Sequence, residues 1–157
     1  MKKTAILLLL ALFTTVAGYA QCDAIKAVQD DYEDATTMFF YKNTLTMLGD
    51  FANSEEVKEL TKDIENLRMI RLDRRINSFD DAKLKTLIGD VQEEGFEEFG
   101  QMKDQGAKIY VYGKGEGAEI DGIVVVVAEE KELILFDLVG KIDINAVTKL
   151  TKQFSSI

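Results

Sequence analysis

Residues 120–142, IDGIVVVVAEEKELILFDLVGKI, decide how the rest of this chain folds. Ile123 to Val127 are consecutive aliphatics, and Ala128-Glu129-Glu130-Lys131-Glu132 follow as a charged turn. A second apolar run, Leu133 to Phe136, leads into Leu138-Val139-Gly140. Two runs rich in β-formers around a short charged turn read as a β-hairpin. Neither run alternates apolar with polar, so both faces are expected to be buried, as in the middle of a sheet. Such a stretch is scaffold, and function has to be sought elsewhere.

Outward from the hairpin, Lys108 to Tyr112 alternate, with Ile109 and Val111 on one face and Tyr110 and Tyr112 on the other, which predicts a strand. Gly113-Lys114-Gly115-Glu116-Gly117 reads as a flexible connection into the hairpin; it lacks the lysine-serine ending and the following helix of a phosphate loop. Residues 96–103, FEEFGQMK, carry apolar positions three apart, but Gly95, Gly100 and Gly106 around them favour a strand over a helix, with a turn at Asp104-Gln105-Gly106. Downstream, Asp143 is placed to cap a closing helix whose inner face holds Ile144, Val147, Leu150 and Phe154.

The first half supplies the helices. Residues 23–34 have Ile25, Val28 and Tyr32 at helical spacing, as a short helix or a lead-in. Residues 35–42 read as a strand, followed by a short helix capped by Asn43 or Thr44 and stopped at Gly49. Asn53-Ser54-Glu55-Glu56 starts a helix, with Val57, Leu60, Ile64 and Leu67 as its stripe to about Asn66. Leu67 to Leu72 form a second strand, and Ser78 or Asp80 caps a helix with Leu84, Leu87, Ile88 and Val91 inside and Gly95 at its end. The expectation is a single α+β domain over residues 35–157: a mixed, mainly antiparallel sheet, helices packed on one face, the 120–140 hairpin at its centre and a closing helix.

The N-terminus bears on location. Lys2-Lys3, the apolar Ala5 to Phe13 and the small Gly18 and Ala20 before Gln21 have the three regions of a secretory signal peptide, residues 1–20, with residues 21–34 as a lead-in. The apolar stretch is too short to span a bilayer, so no integral span is expected after cleavage. Cys22 suggests lipidation as the minor alternative, against which Gln21 is not the small residue expected before a lipidated cysteine.

Composition narrows the chemistry. The net charge of −9 opposes nucleic-acid binding. One cysteine allows no intramolecular disulfide, and the absence of histidine removes the commonest general base and metal ligand. No cofactor or metal is expected. All four arginines, Arg68, Arg71, Arg74 and Arg75, fall within eight residues. Arginine binds carboxylate and phosphate bidentately, so this segment is a candidate site for a small anion or acidic partner; alternatively it neutralises the protein's own acidic helices. On a strand, Arg68 and Arg74 share one face and Arg71 and Arg75 the other. Tyr110 and Tyr112 could line a binding face or pack beneath a helix. Adjacent carboxylates such as Asp80-Asp81 and Glu129-Glu130 could serve a glycosidase-like hydrolase, although adjacent residues on one element point apart.

MFFYKNTLTML, LRMIRL and residues 96–150, ending in Gly140 and Ile142-Asp143-Ile144, resemble an exported bacterial family of unknown function, domain of unknown function 4252, across residues 30–152. The resemblance implies a small secreted or envelope-associated α+β domain and brings no functional residues with it. Members are often lipoproteins, a pattern from which Gln21 departs. The reading is an exported, periplasmic or secreted, non-enzymatic binding or adaptor module whose partner is an envelope protein or an acidic ligand. A carboxylate-dependent hydrolase and a purely structural envelope protein are the alternatives.

Overall fold

The computed structural model describes residues 21–52, 55–143 and 145. The signal-peptide region, the Asn53-Ser54 cap and nearly all of the expected closing helix lie outside the described residues. Along the chain run α1 (Asp23–Asp31), β1 (Thr36–Tyr41), α2 (Lys42–Phe51), α3 (Glu55–Asp63), β2 (Ile64–Asp73), α4 (Asp81–Glu93), β3 (Glu97–Asp104), β4 (Ala107–Glu116), β5 (Glu119–Ala128) and β6 (Glu132–Asp143). The strands make one six-stranded sheet in the order β1-β2-β6-β5-β4-β3. Every pairing is antiparallel, so no strand introduces the mixed character expected from sequence. The 120–142 stretch supplies the two central strands, β5 and β6.

Side chains on β2, β5 and β6 sort by parity. Arg68, Ile70, Leu72, Val124, Val126, Leu133, Leu135 and Asp137 are buried on one face, here the inner face. Alternate residues Leu67, Met69, Val125, Val127, Ile134, Phe136 and Leu138 are half-buried on the other. The central strands are thus apolar on both sides, as expected, but only one side is sealed. Helices α1 and α4 seal it through Ile25, Val28, Leu84, Leu87 and Val91, which join Phe79, Phe96 and Tyr112 in the larger core. Each such aliphatic side chain contributes about 1.5–3 kcal/mol by leaving water.

The expectation of helices on a single face holds for α1 and α4 only. Leu45 of α2 packs on the outer face, in a smaller core with Ile64, Ile120, Ile123 and Ile142. This second core lies at one end of the sheet, where α3 turns directly into β2.

Local boundaries moved for identifiable reasons. Helix α2 starts at Lys42 and runs past Gly49, which does not cap it. Gly49 is instead the place where α2 crosses α3: an added Cβ would lie 2.0 Å from Thr61 Oγ1. Helix α3 stops at Asp63, and Ile64 and Leu67 belong to β2, because β6 pairs with β2 as far back as Ile64. The 113–117 stretch is β4 as far as Glu116, and only Gly117 (φ +72°) and Ala118 turn. Residues 96–103 form the expected strand, shifted by one residue. Gln105 and Gly106 both have positive φ, as a two-residue type I′ hairpin requires. Asp80 caps α4, its Oδ1 accepting from the Lys83 N–H at 2.9 Å.

Gly140 is required by contact. A Cβ there would lie 2.1 Å from the Asp63 carbonyl oxygen and 2.8 Å from Ile64 Cα, both backbone atoms of the α3–β2 junction. Gly140→Ala is expected to destabilise the fold by about 1–3 kcal/mol, the usual cost of overpacking. Urea denaturation would show this as a lowered midpoint, and an unchanged midpoint would refute the contact.

Candidate functional site

The four arginines do not form one cluster. Arg68 lies in the middle of β2 with 2% of its surface exposed. Arg71 points to the opposite face, exposed, and its Nε donates to the Glu132 carboxylate. Arg74, just past β2, fastens three elements: Nε donates to Phe79 O (2.9 Å), Nη1 to Glu129 O (2.6 Å) and Nη2 to Asp81 Oδ1 (2.6 Å). Arg75 is exposed beside an open groove that Ser78, Asp81, Lys108 and Glu130 also line. The sequence-based pairing of Arg74 with Arg68 and of Arg75 with Arg71 by face fails because β2 ends at Asp73.

Arg68 has a partner that the sequence reading did not single out. Asp137 of β6 sits directly opposite it in register and is 1% exposed. Arg68 Nη2 and Asp137 Oδ2 are 4.0 Å apart, close enough for Coulomb attraction but too long for a hydrogen bond. Arg68 Nη2 donates to Gln21 Oε1, and the Phe39 ring centroid lies 5.7 Å from the guanidinium carbon. Arg68 Nε and Nη1 and Asp137 Oδ2 make no hydrogen bond within the protein. Burial pushes the Asp137 carboxyl up to about 6, against the opposing pull of Arg68. One signal in the sequence could have found it: Asp137 is the single charge between Leu133 and Gly140.

The segment over this pair is the N-terminal one. Gln21 Nε2 donates to Asn66 Oδ1 at 2.8 Å, and Glu94 accepts from the Asp23 and Ala24 backbone N–H groups at 2.9 and 2.6 Å. Cys22 precedes α1 with its side chain sealed in the core (0% exposed), and burial pushes its thiol up to about 12. Residues 21–34 are therefore no loose lead-in: α1 belongs to the core.

Tyr110 and Tyr112 do not together line an open surface; Tyr110 alone borders a groove, with Gln101, Met102, Lys103 and Lys108. Tyr112 is 1% exposed in the larger core, Tyr110 packs against that core, and burial followed by the Glu98 carboxylate raises the Tyr112 phenol. Among the described residues no three His, Cys, Asp or Glu side chains are arranged to hold a metal ion, and no helix is long and apolar enough to cross a membrane. In the groove near Arg75, the hydrogen bond from Arg74 holds the Asp81 carboxyl below its usual range. The carboxyl raised by burial, Asp137, is sealed, with 1% of its surface exposed.

Exposed apolar side chains are most numerous around one edge, although Phe99 (44%) and Met102 are exposed on the other. Strand β1 ends the sheet, and around it Phe39 (44%), Tyr41 (67%), Met47, Leu48 and Phe51 (78%) are exposed, the last three on α2. The opposite edge, β3, differs: Glu97, Glu98, Lys103 and Asp104 lie on it, and a register shift interrupts it between Glu98 and Gly100. Charges and bulges are what keep exposed edges from pairing, and β1 (TTMFFY) has neither.

A family model described as Domain of unknown function (DUF4252) matches residues 29–150, and the chain belongs to that family. Neither a search of curated proteins nor one of solved structures finds a match. The match begins inside α1, so the contacts that Gln21, Cys22 and Glu94 make around the start of that helix reach beyond it.

Two outcomes are expected of the buried pair and its cover. The raised Asp137 carboxyl contributes stability that is complete below about 3.8 and is lost as pH rises through about 6. Denaturation across that window should show this component in the wild type and not in Asp137→Asn, which removes the titrating carboxyl. Cys22 should resist aromatic disulfide reagents in the native protein and react on unfolding; rapid native labelling would contradict the sealed position.

Proposed function

We propose that this member of the family is an exported, non-enzymatic binding module that receives an extended segment of a partner protein along β1. The observation that carries the reading is the contrast between the two sheet edges. A free edge offers a row of backbone N–H and C=O groups, and an added strand satisfies them while side-chain contacts give selectivity. The exposed Phe39 and Tyr41, with Met47, Leu48 and Phe51 alongside, offer those contacts. Aromatic and methionine side chains are favoured in the centres of interfaces.

The net charge of −9 favours a neutral or basic segment over an acidic one. Three of the four arginines already face carboxylates of the same chain, which moves the reading from an acidic ligand toward a protein partner. The non-enzymatic reading draws support from the placement of the carboxylates, since the raised one is sealed beneath α1. Export rests on the arrangement of residues 1–20. A free rather than lipidated Cys22 is favoured by its sealed side chain, because a lipid-bearing sulfur would have to leave the core.

A photo-crosslinking residue at Tyr41, with another at Met102 as control, tests the edge in protein produced in its own cell. Crosslinks from Tyr41 to one segment of an envelope protein are expected, with slowed amide exchange across Thr36–Tyr41 in the complex. Met38→Lys with Tyr41→Lys should abolish both. Crosslinking equal at the two edges, or none at Tyr41, would overturn the reading.

A further inference from the structure

The buried charge of Asp137 is only half answered. Its Oδ1 accepts from the Cys22 backbone N–H over a long 3.5 Å, and its Oδ2 makes no hydrogen bond within the protein. Arg68 attracts it from 4.0 Å without bonding it. The surrounding field is lopsided. Arg68 favours the charged form of Asp137, while Glu94, at the end of α4, and Asp23, which opens α1, oppose it. Three carboxylates thus stand around one guanidinium at the start of α1. A sealed carboxylate oxygen without a donor is costly until a cation or donor reaches it.

Gln21 is the stretch of chain placed to do so. Its side chain already joins Arg68 Nη2 to Asn66 Oδ1 over the pair. Cys22 N lies 3.5 Å from Asp137 Oδ1, and one residue of chain spans at most about 3.6 Å, so the Gln21 nitrogen starts within a residue's reach of the carboxylate. While residue 20 is attached, that nitrogen belongs to a neutral, planar amide. Hydrolysis after Ala20 changes its chemistry. Water adds across the Ala20–Gln21 bond, Ala20 leaves as a carboxylate, and the nitrogen keeps both protons of the water with its own, as an ammonium.

We infer that the Gln21 ammonium released by this cut pairs with Asp137 Oδ2 and turns the Arg68–Asp137 pair into a cluster of three charges. The inference rests on the proposed export and cleavage, and is independent of how β1 is used. Removing the leader then completes the buried site, so the domain reaches its full stability only as the mature chain. The dipole of α1 opposes a cation at its start, and Glu94 offsets this by accepting from the Asp23 and Ala24 N–H groups. The neighbouring Cys22 thiol, pushed up to about 12, stays neutral. The pH dependence given above holds while residue 20 is attached. With the ammonium in place, Asp137 is drawn toward its charged form, and its contribution is lost as pH falls instead of as pH rises.

The exported protein, recovered from its own cell, provides the test. Mass spectrometry identifies its first residue, and any residue other than Gln21 refutes the cleavage and the inference with it. With Gln21 first, the amine is titrated with a reagent selective for chain termini, in the folded protein and in urea. The folded profile is expected at higher pH, with about tenfold less labelling at neutral pH, the effect of one unit in an amine pKa. A terminus that is merely covered reacts less at every pH without a displaced midpoint. That result overturns the pairing and leaves the cleavage standing, as does a Gln21 closed to pyroglutamate with loss of ammonia. Asp137→Asn should return the midpoint to its unfolded position, and Asp23→Asn should move it less. Equal effects would overturn the choice of Asp137. If Asp137→Asn fails to fold, the wild-type midpoint decides alone.

Discussion

A strand without a polar side cannot border water on either face, and the two central strands of this sheet are such strands. The aliphatic run of β5 and the apolar run of β6 require cover above and below. Everything else in the fold answers that requirement. Helices α1 and α4 close the inner face, and their apolar stripes match it. On the outer face, the α2–α3 pair closes one end, where Gly49 and Gly140 let backbones approach more closely than any side chain would allow. The domain is thus built in three layers.

The Arg68–Asp137 pair is the one polar element in the sealed layer. Two charges removed from water there add little net stability, since desolvation offsets most of their attraction at 4.0 Å. What the pair does supply is a marker of alignment. Phe39, Arg68, Asp137, Val124 and Tyr112 stand opposite one another across five strands. Slipping β2 by one residue would bring Arg68 to the other face and leave Asp137 buried without its counter-charge. Local β-preference in Leu67–Leu72 does not by itself fix a register, whereas the two charges face each other in this one.

Much of this was legible in the sequence. All six strands, the central hairpin, the Asp80 cap and the α4 stripe follow from periodicity and turn chemistry. Failures share one cause: they depend on which distant segments touch. Val57, Leu60, Ile64 and Leu67 fit a helical stripe, yet pairing with β6 draws the last two into a strand. The four arginines look alike along the chain, while one meets a buried carboxylate, one clamps a loop and two face solvent. Cys22 beside a cleavage signal reads as an attachment point, and only its place beneath the sheet's inner layer shows it as core. The open edge was not legible either, because no local signal says that β2 and β6 become neighbours and leave β1 outermost.

The unequal edges have a consequence for growth. A sheet that extends by edge pairing needs two receptive sides to become a fibre, since each added unit must present a new one. Here β3 carries charges and a bulge, which oppose addition, and β1 carries neither. Any pairing at β1 would therefore end after a single event, whether the added strand is foreign or a copy. The molecule can be sticky on one side and still stop at a fixed stoichiometry, which spares a protein with no proline to guard its edges the open-ended aggregation that such a surface would otherwise invite.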